Sequence, residues 1–180
     1  AHVLNFHSRL FSPNYFIRDS EGNIYPLKDI LAYSDHKDFV VFTVKNGQFP
    51  APFKLNLNPR LHEPVFAVGN ALGEGVVIRE GLLTSRTFEQ LDGEWKWLRF
   101  SAAASPGNSG GPLLDKNGDI IGIVLRKSPN ENLNFALPID VVLEHPNNHA
   151  EIKNKGAYLL PNMKQYHIAS YNLTYTLPLS

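Results

Sequence analysis

The chain has 180 residues, 17 Lys and Arg against 17 Asp and Glu, 7 His, no Cys and 43% hydrophobic residues. That length suits one ordinary globular domain or two small subdomains, and a balanced charge argues against a nucleic-acid or anionic-membrane binder. Without Cys there is no disulfide framework, thiol nucleophile or thiolate metal site, so a packed core must supply the stability.

The opening stretch AHVLNFHSRL lacks the basic start and long apolar segment of a signal peptide, and it has no initiator Met, as expected of a processed or truncated chain. Short runs rich in Val, Ile, Phe and Leu then recur between Gly, Pro, Asn and Asp, which predicts strands. Tight turns are expected at Glu21-Gly22-Asn23, Asn46-Gly47, Leu91-Asp92-Gly93 and Lys116-Asn117-Gly118, where Gly or Asn accepts positive φ. Between them, strands are expected over residues 38–44, 64–69, 75–79, 94–100 and 119–125. In the run 94–100 the two faces alternate only imperfectly. Many short strands at this spacing imply an all-β barrel or sandwich. One short helix is predicted over residues 139–144, entered through Pro138 and stopped by Pro146. From Asn147 the chain becomes a polar connector, and Tyr171, Leu173, Tyr175 and Leu177 then alternate as an edge strand would. The longest apolar runs, 39–42 and 120–125, fall far short of the roughly 18 to 20 residues of a membrane span.

The sharpest chemical signal is Ser105-Pro-Gly-Asn-Ser-Gly-Gly-Pro-Leu-Leu114. Its plain reading is a Gly-rich hairpin loop. Gly110 and Gly111 also leave space beside Ser109 for a peptide carbonyl. Gly107 frees a backbone N–H to point with that of Ser109 at one spot, as acyl transfer requires for the charge that develops on the carbonyl oxygen. A serine hydroxyl needs a general base, usually His, and the His needs an orienting carboxylate. His2, followed by aliphatic residues, is the candidate base; its other reading is a structural histidine. Asp38 opens the most apolar strand and is the candidate orienter, with Asp35 nearby and an exposed turn residue as the alternative.

Taken together, Ala1-His2-Val3, Asp38-Phe39-Val40-Val41, the stretches 67–73, 80–85 and 102–114, and Asn134-Phe135-Ala136-Leu137-Pro138 resemble the trypsin-like serine proteases, and more closely their HtrA/Deg branch. The order His, Asp, Ser agrees, and the resemblance runs from residue 1 to about residue 144. It implies two antiparallel six-stranded barrels with the triad in the cleft between them. On that pattern residues 1–146 form the protease domain, with barrels at about 1–58 and 59–146. Residues 147–180 form a connector and extension without an assigned role, too few for a peptide-binding PDZ domain. His2 becomes the base, Asp38 its orienter, Ser109 the nucleophile, and the Gly107 and Ser109 N–H groups the oxyanion hole. Strands normally precede the catalytic His, so the first barrel reads as incomplete, which leaves a peptide-binding pseudo-protease as the alternative.

The pocket floor resembles Ala103, where no carboxylate can pair with a buried Lys or Arg. Leu125, Phe135 and Ala136 are expected as walls, giving a serine endopeptidase that cleaves after small or medium aliphatic residues. Asn108 replaces the aspartate that receives a new N-terminus in digestive relatives, so control is expected from loop ordering instead. No cofactor or metal is implied: His145 and His149 straddle Pro146 and cannot share a helical face. The expected partner is a protein or peptide substrate, with no nucleic acid or membrane span, and the sequence leaves oligomeric state open. The Asn172-Leu-Thr174 triplet fits a glycosylation sequon without establishing secretion. The resemblance favours an extracytoplasmic quality-control or processing role over a cytoplasmic one.

Overall fold

The computed structural model describes residues 16–19, 21–47, 52–70, 75–90, 93–104, 107–127 and 133–147. His2, the sequon and the alternating stretch from Tyr171 lie outside them. The chain divides into two compact units, one of Ala1–Pro50 with Pro146–Ser180 and one of Ala51–His145.

In the first unit the described residues form an antiparallel sheet of β1 (Phe16–Arg18), β2 (Ile24–Ser34) and β3 (Phe39–Val44). The expected turn at 21–23 joins β1 to β2. Gly22 adopts φ 91°, and the Asp19 carboxylate accepts the N–H groups of Glu21 and Asn23, both at 2.9 Å. β2 was not among the expected strands. Pro26, Lys28 and Asp29 break its alternation, and its pairing with β3 shifts register between Leu27 and Ile30 and again between Ile30 and Ala32. Such bulges twist a strand and scramble the period-2 signal. Ala32 and Phe39 are the buried apolar residues of this sheet.

The second unit is a closed antiparallel barrel. Its strands are β4 (Pro64–Gly69), β5 (Val77–Phe88), β6 (Lys96–Phe100), β7 (Pro112–Asp115), β8 (Ile120–Lys127) and β9 (Asn134–Pro138), in the order β4-β5-β6-β9-β8-β7. Closure leaves no edge to template other chains. Val65, Ala67, Leu83, Leu98, Phe100, Leu113, Ile121, Val124 and Ala136 fill the interior. The imperfect alternation of residues 94–100 has a simple cause. Leu98 and Phe100 point inward, while outside Trp97 meets Trp95 edge-on at 5.8 Å and Phe135 at 6.4 Å. An aromatic cluster thus covers the outer face as well. The expected strand at 75–79 is the start of the longer β5.

The β7–β8 turn at 116–118 forms as expected and is held by Asp115. This buried carboxylate accepts the N–H groups of Asn117 at 2.8 Å and Asp119 at 3.1 Å, and the Asn56 amide at 2.8 Å. The predicted helix is α1 (Ile139–Leu143), which buries Val141 and Val142. At one and a half turns it owes its stability to packing, since isolated helices of this length do not persist in water. Among the described residues no helix is long and apolar enough to cross a membrane.

Candidate active site

Ser109 lies in the loop between β6 and β7, and two hydrogen bonds made by the glycines that follow it fix that loop to β8. The Gly110 N–H donates to Val124 O at 2.8 Å, and the Val124 N–H donates to Gly111 O at 2.9 Å. The Gly111 N–H closes a tight turn on Asn108 O at 3.0 Å. Gly107, with φ 101°, sits in a backbone region that a side chain would strain. A Cβ on Gly111 would lie 2.1 Å from Val68 O. The missing side chain therefore admits β4, and the space expected there for a substrate carbonyl is already filled.

The Ser109 hydroxyl is half-buried and donates to the main-chain oxygen of Leu125 at 2.8 Å. Neither the Gly107 nor the Ser109 N–H makes a hydrogen bond among the described residues. Asn108 is 1% exposed, and neither its Oδ1 nor its Nδ2 has a hydrogen-bond partner among the described residues. It packs on β4, where a Cβ on Gly69 would come within 2.8 Å of Asn108 Cα.

Asp38, in the first unit, is half-buried at the end of the turn leading into β3, with φ 55°. Asp tolerates this left-handed conformation better than most residues. Its N–H donates to Asp35 O at 3.3 Å. Asp35, the alternative acid, accepts the hydroxyl of Tyr33. Burial, that hydrogen bond, and the charges of Asp35 and Asp38 together push the Tyr33 phenol far above its usual range.

The expected pocket residues do not share one surface. Leu125 is buried at a bulge in β8, where the β8–β9 register shifts between Val124 and Arg126. Ala103 is exposed, while Ala102 and Ala104 on either side pack with the barrel core. Phe135 lies on the outer face beneath the Arg99 guanidinium, 5.2 Å from its ring centroid. Ala136 faces the barrel interior, fully buried. Sequence reasoning passed over Asn134, a buried amide whose Nδ2 donates to Ala102 O at 2.6 Å. A polar residue at the head of the apolar run Asn134-Phe-Ala-Leu-Pro138 was the available signal. Among the described residues no three His, Cys, Asp or Glu are grouped to hold a metal ion.

Residues 1–123 match the family described as Trypsin-like peptidase domain, and the chain belongs to that family. It is 34% identical over 126 residues to the "Serine protease HtrA-like" of Staphylococcus aureus, covering 62% of this chain and 16% of that protein. It is also 26% identical over 146 residues to "Anti-sigma-I factor RsgI9" of Acetivibrio thermocellus, covering 75% of this chain and 20% of that one. Among solved structures, "HtrA-type protease AlgW with decapeptide" superposes with a TM-score of 0.63 at 25% identity, covering 71% of this chain and 41% of the other. The chain therefore spans about a fifth or less of the length of these curated relatives.

Proposed function

We propose that the protein is a serine endopeptidase that works through an acyl-enzyme. The Ser109 loop carries this reading: a half-buried hydroxyl in a loop whose Gly107 and Ser109 N–H groups no described residue engages. In the mechanism His2 takes the Ser109 proton as Oγ leaves the Leu125 carbonyl and attacks the substrate. Asp38 holds the imidazole and stabilises its protonated form. The Gly107 and Ser109 N–H groups receive the developing oxyanion, and His2 then returns the proton to the leaving amine. No metal or organic group enters these steps.

The reading extends to cleavage after small or medium aliphatic residues in an extracytoplasmic processing or quality-control setting, as the resemblance to the HtrA/Deg branch implies. What supports this reading is that Leu125, whose carbonyl takes the Ser109 hydroxyl, is aliphatic, and that Ala103, the expected pocket floor, offers no carboxylate to a basic side chain. The test is hydrolysis of fluorogenic peptides that differ only in the residue before the scissile bond. Turnover after Val or Ala but not Arg is expected, with Ser109→Ala lowering it by on the order of a millionfold.

The hydrogen bond from Ser109 to Leu125 O favours a second reading, a latent or inactive protease-like module that binds peptides. The hydroxyl proton of the nucleophile is there held by main chain.

A further inference from the structure

Among the described residues, two buried side-chain amides in the barrel unit have unsatisfied polar atoms, and one of them stands at the rim that carries the nucleophile. Asn134 is 3% exposed and opens β9. Its Nδ2 donates to Ala102 O, which can only accept, so the assignment of the two amide atoms follows from the partner rather than from convention. That leaves Oδ1 buried with no donor. An amide oxygen in this position costs free energy until a donor reaches it.

Its surroundings place that acceptor. Along the β8–β9 ladder Val124 faces Ala136 and Lys127 faces Asn134. Asn134 is therefore two residues, about 7 Å, from Ala136 toward the end of the barrel and on the same inner face. Leu125, whose carbonyl takes the Ser109 hydroxyl, lies on the same stretch of β8, at the bulge beside Val124, and both residues are buried. Bulges re-aim side chains beside functional sites. Ala102, the partner of Asn134, begins the segment that leads back to Ser109, and Ala104 packs beside it. Two contacts, Ser109 with Leu125 and Asn134 with Ala102, thus lie toward one end of the barrel, joined through the β8–β9 ladder. Among the side chains of these four residues, the one buried polar atom without a partner is Asn134 Oδ1, an acceptor.

We propose that Asn134 is a specificity-determining residue whose Oδ1 accepts a hydrogen bond from an uncharged donor on the substrate side chain before the scissile bond, so that a threonine is taken in preference to its isostere valine. The inference rests on the proteolytic reading of this site and sharpens its substrate class. The methyl of threonine meets the aliphatic wall as valine would, and the hydroxyl satisfies Oδ1. Valine fills the same volume and leaves the acceptor buried without a donor, the kind of mismatch from which polar sites draw their selectivity.

The test separates binding from chemistry. The Ser109→Ala chain is titrated calorimetrically with two peptides identical except for Thr or Val at the residue before the scissile bond, and the wild-type chain is assayed for kcat/KM on the same pair. A preference for Thr of about five- to tenfold is expected in Kd, and in kcat/KM where turnover occurs. Asn134→Val should bring the ratio to about one, with thermal unfolding reporting whether that variant folds. If it does not, the wild-type ratio alone decides. Tighter binding of Thr without turnover would support the role of Asn134 while removing the enzymatic reading. Equal affinities, a preference for Val, or binding of neither peptide would overturn the proposal and assign Oδ1 to a structural water.

Discussion

The hydroxyl of Ser109 donates to the main-chain oxygen of Leu125 at 2.8 Å, and the backbones on either side are paired through Gly110, Gly111 and Val124. The nucleophile loop and the β8 bulge therefore form one mechanical unit. A neutral hydrogen bond of this kind contributes only about 1 kcal/mol net. Releasing Ser109 for attack is thus a small part of any catalytic barrier, whereas unseating the loop breaks several bonds together.

Gly111→Ala tests that unit. Its Cβ would meet Val68 O at 2.1 Å, and main chain cannot step aside as a flexible side chain can. We expect a loss of about 1–3 kcal/mol in urea unfolding together with reduced labelling of Ser109 by an active-site probe. Unchanged stability would mean that β4 and the loop separate easily.

Asp38→Asn tests the orienting role. An amide at this position favours the wrong imidazole tautomer and cannot stabilise the imidazolium. Turnover should fall by about ten-thousandfold with the fold retained, as measured by steady-state kinetics beside circular dichroism. A loss below tenfold would assign Asp38 to the turn alone.

Asp115 predicts a pH dependence. Burial alone would raise its pKa, but the Asn56 amide, the Asn117 and Asp119 N–H groups and the Lys116 charge outweigh that and hold it below the ordinary 3.8. A depressed folded value means the stabilisation is fully present above the unfolded pKa and is lost as pH falls through the folded one. Asp115→Ala should therefore cost about 2–4 kcal/mol at pH 7. Denaturant curves for wild type and variant should converge only below pH 3.8.

Tyr33 gives the alkaline counterpart. Burial, its hydrogen bond to Asp35 and the charges of Asp35 and Asp38 all raise its pKa above the ordinary 10.0. The stabilisation is present below the unfolded value and is lost as pH rises from there through the folded one. Phenolate absorbance should show one tyrosine titrating after the others in the folded protein, and Tyr33→Phe should remove that last step.

The sequence made the nucleophile loop legible because its chemistry is local: glycines around one serine constrain the backbone whatever surrounds them. The short strands β3, β4 and β8 were legible from dense apolar runs. By contrast, β2 was hidden because its pairing with β3, bulges included, overrides a run containing Pro26, Lys28 and Asp29. The facing of the expected pocket residues was hidden for a related reason. A strand sends neighbours to opposite faces, so Phe135 and Ala136 cannot line one wall, and only the packed barrel shows that Asn134 and Ala136 share the inside. The bulge that buries Leu125 leaves no periodic trace in the sequence.

The most direct test of the central claim is intact-mass analysis of the whole chain after a fluorophosphonate probe, with Ser109→Ala alongside. The account predicts a single adduct that maps to Ser109 and is absent from the variant. A wild-type chain that unfolds cooperatively yet takes up no probe would contradict it.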